Sequence, residues 1–363
     1  MKKLTCILLS LVICILMAVP SFANETVKIE PLTPMPSMDA YANDIVKAYM
    51  DVNVKFISSG DNFYLSQGFC IGNNTQARVY FLFNNEKCVG KLNVAKINDE
   101  YVSSFVYGEI PFITTAYFYN EDISLIEDGE SVFVIHDNYV DTIYGPKYDA
   151  RYNDIAIKTK KINSEKIVCN LLNYSENNIS RSTNSSNELD VPIVENTRDP
   201  DIEKGLCWAA SIASIVKYRK PSVGYLDAME VYNDLKAMYN PEVYGYPFGL
   251  IEWEQRAFNM YYNNSISYTP YNSGLNYQGV VSAIDSNRPI YVVLSGTKLS
   301  TQESVAHAVV ICGYGLGSAR PYYRLMDPNE DYIVTVFISS GSSTNFTYNL
   351  SNYTYTRWAR TYY

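Results

Sequence analysis

The run Ala306-His307-Ala308-Val309-Val310-Ile311-Cys312-Gly313-Tyr314-Gly315 reads as a strand that ends in a glycine-rich turn. A second strand-like run, Tyr322-Tyr323-Arg324-Leu325-Met326, leads into Asp327-Pro328-Asn329. Two such runs so closely spaced form an antiparallel hairpin. With the turn centred near residue 317, His307 faces residue 327, give or take two. His307 and Asp327 are therefore expected as cross-strand neighbours. A carboxylate beside an imidazole fixes its tautomer and stabilises the imidazolium. The chain has two histidines in 363 residues. A lone histidine on an apolar strand is more often a satisfied core residue than a reactive one. The other, His136, ends a strand-like run followed by Asp137 and is read as structural.

A partner for such a pair lies a hundred residues upstream. Gly205-Leu206-Cys207-Trp208-Ala209-Ala210-Ser211-Ile212 opens a stretch with apolar residues at helical spacing, Ile212, Ile215 and Val216. Lys217, Arg219 and Lys220 suit its last turn, and Pro221 stops it. Cys207 thus falls at or near a helix N-terminus, where unpaired N–H groups and the helix dipole favour the thiolate. A Cys in a small-residue helix is by itself commonly inert and buried. A helix-start Cys, a strand His and a carboxylate facing it together make a nucleophile, a base and an orienting group.

The N-terminus has the form of an export signal. Lys2 and Lys3 precede a mostly apolar stretch from Leu4 to Val19, too short to span a bilayer comfortably. Ser21-Phe22-Ala23 supplies small residues at the positions before a cleavage site, so residues 1–23 read as a secretory signal peptide cut after Ala23. Ile13 before Cys14 argues against lipid attachment, and no later stretch reaches spanning length, so stable membrane insertion is not expected. Net charge is −9 with 18% charged and 47% hydrophobic residues. This balance excludes wholesale disorder and disfavours a nucleic-acid partner. From Val191 onward 13 basic residues meet 15 acidic ones, a net of −2, while Asn24–Asp190 carries −9. The asymmetry suggests two modules.

The first, residues 24–172, reads as β-rich after a short helix from Asp39 to Asp51. Its strand-like runs are Phe63–Ile71, Arg78–Phe83, Cys88–Ala95, Tyr101–Tyr107, Phe112–Tyr119 and Val132–His136. Residues 173–190 hold six Asn or Asp and six Ser or Thr, and are expected as an exposed linker open to proteolysis. The second module spans 191–363. Five cysteines remain after the signal: Cys70, Cys88, Cys169, Cys207 and Cys312. The odd number suits one free thiol. Cys70 and Cys88 sit two strands apart in a meander, about 9–10 Å, too far for a disulfide. No C-x-x-C occurs and both histidines are isolated, so neither a metal nor a cofactor is expected.

The Cys207-Trp208-Ala209-Ala210-Ser211 helix start resembles that of papain-like cysteine peptidases. His307-Ala308-Val309-Val310-Ile311, Gly313-Tyr314 and Met326-Asp327-Pro328-Asn329 are similar to the bacterial branch related to bacteriocin-processing leader peptidases. The resemblance covers about Val191–Tyr363. It implies an α+β fold: a papain-like domain with a nucleophile helix packed on an antiparallel sheet, preceded by the β-rich α+β module. It also implies Cys207 as nucleophile, His307 as base and then acid, and Asp327 as orienting group, with Asn329 as runner-up. Such enzymes place a Gln about six residues before the Cys to complete the oxyanion hole. Asp201 stands there, and its charge opposes an oxyanion. Asn196 is the expected substitute, beside the Cys207 backbone N–H. In position and strand character residues 24–172 resemble the inhibitory propeptides of streptopain and staphopain. The expectation is a secreted cysteine endopeptidase made as a zymogen, with protein or peptide substrates and its own N-terminal domain as intramolecular inhibitor. A different secreted thiol hydrolase or acyltransferase, such as a peptidoglycan amidase or a transglutaminase-like enzyme, is the alternative. A non-catalytic binding protein that keeps the fold is the third reading.

Overall fold

The computed structural model describes residues 27–29, 35–52, 60–71, 74–85, 87–97, 99–111, 113, 123–127, 132–136, 139–145, 169–171, 186–197, 205–247, 249–262, 274–298, 302–316, 321–338, 348–350 and 353–362. The expected signal peptide, residues 173–185 of the expected linker, Asp201, and all but Ile113 of the Phe112–Tyr119 run lie outside these residues.

The described N-terminal half starts with β1 (Val27–Ile29) and α1 (Pro36–Val52). It continues as β2 (Phe63–Ser66), β3 (Phe69–Ile71), β4 (Asn74–Asn84), β5 (Lys87–Ile97) and β6 (Glu100–Tyr107). Then come β7 (Ile123–Glu127), β8 (Val132–His136), β9 (Tyr139–Tyr144) and β10 (Cys169–Leu171). The C-terminal half opens with β11 (Ser186–Glu188). The helices follow: α2 (Cys207–Arg219), α3 (Ala228–Met238), α4 (Pro241–Tyr244), α5 (Ile251–Tyr262) and α6 (Tyr277–Asp285). It closes with β12 (Ile290–Lys298), β13 (Ser304–Leu316), β14 (Pro321–Met326), β15 (Val334–Phe337), β16 (Tyr348–Leu350) and β17 (Tyr353–Tyr362). This is an α+β protein in which every strand pairing among the described residues is antiparallel.

The expected runs Arg78–Phe83, Cys88–Ala95, Tyr101–Tyr107 and Val132–His136 form strands, and Phe63–Ile71 forms two short ones. The Phe112–Tyr119 run is not borne out where it is described: Ile113 is helical, two residues after Pro111, whose fixed φ suits a helix start. The N-terminal strands do not close into a sheet of their own. Val106 and Phe105 of β6 pair with Val334 and Thr335 of β15. Thirteen of the described strands consequently share one sheet, whose main path runs β10-β2-β4-β5-β6-β15-β14-β13-β12-β17-β16. A separate four-stranded sheet holds β1, β7, β8 and β9, and His136 ends its β8. Ser186–Glu188, inside the Asn/Ser-rich tract, forms β11 and pairs with Gly313–Gly315 of β13. Backbone hydrogen bonding recruits these polar residues despite their poor strand composition.

Alternation along the N-terminal strands explains how the halves are joined. On β4, Tyr80 and Leu82 face one way, into a cluster with Met38, Ala42, Ile45, Val46 and Tyr49 of α1. Those α1 residues recur at three- and four-residue spacing, which lines one face of a helix. Val79, Phe81 and Phe83 face the other way, into the cluster that holds Ala209, Ile212 and Val216 of α2. The side-chain period of two thus places one strand in two cores. Full burial of each large apolar side chain contributes roughly 1.5–3 kcal/mol. Cys70 on β3 and Cys88 on β5 lie on opposite sides of β4, in line with the meander reading, and Cys88 stays a thiol.

Phe81 is fully buried in the cluster shared with α2. Phe81→Ala is expected to cost about 3–5 kcal/mol. Because the core is continuous, calorimetry should show one transition moving as a whole. Two transitions, with only the first shifted, would contradict the shared core.

Candidate active site

The helix that starts at Cys207 is fixed by its own small residues. From Trp208 to Val216 every residue of α2 is buried. Ala209, Ala210, Ser211 and Ala213 let its backbone approach the sheet. The Ser211 hydroxyl donates to the Ala308 carbonyl of β13 at 3.1 Å, and the Ser214 hydroxyl to the Ala210 carbonyl at 3.0 Å. Cys207 occupies the first helical position, partly exposed, as the sequence predicts. Leu206 before it provides no side-chain cap, so no side chain of the cap position competes for the first-turn N–H groups.

His307 lies on β13, buried to 4% exposure, and Asp327 follows β14 with 0% exposure. His307 Nε2 donates to Asp327 Oδ1 at 2.8 Å, since a carboxylate can only accept. Cys207 lies close enough to the same imidazole to raise its pKa beside Asp327. The three residues expected to act together are therefore in one chain of contacts. Asn329 takes a different part. Its backbone N–H donates to Asp327 Oδ1 at 2.8 Å, and its side-chain Oδ1 accepts from Asn196 Nδ2 at 2.6 Å.

The neighbour relation of His307 and Asp327 depends on one extra residue. Near the turn, Leu316 pairs with Pro321 and Gly313 with Arg324, so the hairpin centre lies about a residue and a half beyond 317. Ile311 then pairs with Leu325 and Val310 with Met326, which leaves Cys312 as a β-bulge. Continuing that register places Asp327 beside Val309, two residues from His307 and on the same face of the sheet. Without the bulge Asp327 would fall beside Val310, on the opposite face. Gly313 next to the bulge must stay small: a Cβ there would come within 2.9 Å of the Asn187 carbonyl of β11.

Asn196 ties the two sides of the site. Its N–H donates to the Pro328 carbonyl at 2.8 Å, and the Thr197 carbonyl accepts from the Leu206 N–H at 2.8 Å. One stretch thus spans from the residue before Cys207 to the turn of Asp327.

Electrostatics separate the cysteines. Burial pushes the Cys312 thiol up to about 12, so it stays protonated and inert. Burial alone would lower the His307 pKa. The Asp327 carboxylate and then Cys207 outweigh it and raise the value to about 10. The imidazole is accordingly held protonated across the neutral range. No cluster of three or more His, Cys, Asp or Glu that could hold a metal occurs among the described residues.

Sequence reasoning missed Lys91 and Glu330. Lys91 Nζ contacts both Glu330 oxygens, at 2.7 and 2.8 Å, and both side chains are buried. A lysine inside a strand-like run gives no local sign of burial. The starts of α3 and α6 carry cap residues that the sequence also shows. Asp227 forms a capping box with Glu230, and the Asn276 side chain accepts from the Gly279 N–H.

Residues 188–358 match the model of the Peptidase_C39 like family. That match supports a domain of the papain-like cysteine peptidase type, and with it cysteine peptidase chemistry. A comparison with curated proteins found no match.

A His whose folded pKa is raised adds stability that is complete below its unfolded value of about 6.5. That stability is lost as pH rises through about 10. Melting temperature should therefore fall between those limits, and Asp327→Asn should flatten the fall. An unchanged slope in the Asn variant would disconnect Asp327 from the His307 charge.

Proposed function

We propose that the chain is an exported cysteine endopeptidase that cleaves peptide bonds through an acyl-enzyme. The single observation that carries this reading is the contact chain Cys207–His307–Asp327, built from a helix start, a strand and a turn that converge. The Cys207 sulfur, as thiolate, attacks the scissile carbonyl carbon. The carbonyl oxygen gathers negative charge and is met by the Cys207 backbone N–H and by the second Asn196 amide hydrogen, the first being engaged by Asn329. His307, held as imidazolium by Asp327, gives its proton to the leaving amine, and the C–N bond breaks to leave a thioester. Water then attacks the thioester while His307 takes its proton. The acid leaves and the thiolate returns. Asp327 stays a carboxylate throughout and keeps the ring in the required tautomer.

The family relation favours a kinship with bacterial leader-processing peptidases. Export is supported by the basic start, the apolar Leu4–Val19 stretch and Ser21-Phe22-Ala23. No helix among the described residues is long and apolar enough to cross a membrane. The zymogen reading rests on the order of the parts, a β-rich half before the catalytic one. Since Cys207, His307 and Asp327 are in contact with that half in place, inhibition would act by covering the cleft and not by pulling the three residues apart.

The test is digestion of a peptide library beside a cell-wall digest, under reductant near neutral pH. Peptide cleavage without cell-wall cleavage is expected. The reverse result would assign the amidase class. Cys207→Ala should fall to background and His307→Ala should lose on the order of 10²–10⁴-fold. The double variant should be little worse than Cys207→Ala, because the two act as a unit. Near-normal turnover in either single variant would sink the endopeptidase reading.

A further inference from the structure

The turn that carries Asp327 is gripped from the N-terminal half at several points. Lys91 lies on β5 opposite Phe81 of β4 and Val106 of β6, on the face turned toward the catalytic half. From there its ammonium reaches both oxygens of Glu330. Glu330 belongs to the same turn, its N–H donating to the Asp327 carbonyl at 3.0 Å. The Gly145 N–H donates to the Asn329 carbonyl at 3.2 Å. The Tyr332 ring lies over Gly108, where a Cβ would stand 2.0 Å from it. β6 then continues the grip by pairing with β15.

The geometry points to Lys91 as a positioning residue for the proposed reaction: it holds the Asp327–Glu330 turn against His307, and the N-terminal half stays bound as part of the working site, so that in the zymogen reading activation would cut the chain without removing that half. This rests on the thiol-hydrolase reading of Cys207, His307 and Asp327. The physical ground is that a buried carboxylate without a partner is costly. Lys91 gives Glu330 that partner deep in the protein. Burial pushes the Glu330 carboxyl up, to about 7, against the pull of Lys91, with Asp327 and Asp331 adding to the rise. Remove Lys91, and Glu330 either takes a proton or drags the turn toward water. Dragging the turn withdraws Asp327 Oδ1 from His307 Nε2. The His307 charge then loses the partner that holds it, leaving burial and Cys207 as its remaining influences.

The sign separates positioning from simple electrostatics. If the turn stays in place, losing the Lys91 charge leaves the His307 pKa unchanged or raises it. If the turn moves, the pKa falls. Cys207 alkylation by iodoacetamide reads this without any substrate, so the result stands apart from peptide turnover. In the full chain, the rate of modification at the Cys207 peptide would be followed by mass spectrometry from pH 4 to 11. The wild type should show an upper inflection near 10, where His307 loses its proton. Lys91→Met should move that inflection down by at least about one pH unit, the size expected for separation from one opposite charge. Should Lys91→Met fail to fold, Lys91→Gln keeps a polar group beside Glu330 but no charge, and it should show the same downward move to a smaller degree. A folded variant whose inflection stays in place or rises overturns the proposal. Absence of peptide cleavage with a normal wild-type alkylation profile would instead refute the peptidase reading and leave the positioning role intact.

Discussion

The Asp327 carboxylate has no exposure to water, and much of the surrounding architecture serves to keep it there. A buried charge costs several kcal/mol unless it is paired and hydrogen-bonded. Here one oxygen accepts from the His307 ring and from the Asn329 backbone. The first contact requires the bulge in β13, and the second requires the turn after β14. The turn in turn leans on Asn196, which reaches back toward the residue preceding Cys207. Charge compensation at one oxygen therefore explains why a helix start, a strand and a turn from distant parts of the chain meet.

The sheet gives this arrangement its stiffness. α2 is enclosed, with β13 anchored to it through Ser211 and with Phe81 and Val106 of the N-terminal strands in the same apolar cluster. The C-terminal half thus owes part of its core to residues more than a hundred positions earlier. A two-module outline from charge and composition describes where the chain changes character. It does not describe where the packing ends, because strand pairing answers to side-chain fit and not to net charge.

Much of the site was legible in the residues themselves. Cys207 at a helix start follows from small residues, a basic last turn and Pro221. The His307–Asp327 relation follows from two strand runs separated by a glycine-rich turn. What stayed hidden is non-local or a matter of one residue. Nothing near Val106 or Val334 signals that they pair, since each reads as an ordinary apolar strand residue. Lys91 sits among alternating apolar positions whose partner, Glu330, is far along the chain. The bulge at Cys312 has Gly313 beside it as its only mark, and that glycine also fits an ordinary turn.

That bulge turns the evolution of this site into a question of parity. Asp327 shares a face with His307 because β13 carries one residue more than β14 between the turn and the site. Descendants of this chain can exchange side chains along both strands, or lengthen the two in step. A lone gain or loss of a residue on either strand between the turn and the site would reverse the face on which Asp327 emerges. The sheet could survive such an event with its hydrogen bonds re-formed, yet the carboxylate would point away from the imidazole. A single-codon length change could thus break the carboxylate–imidazole contact in a fold that still looks whole.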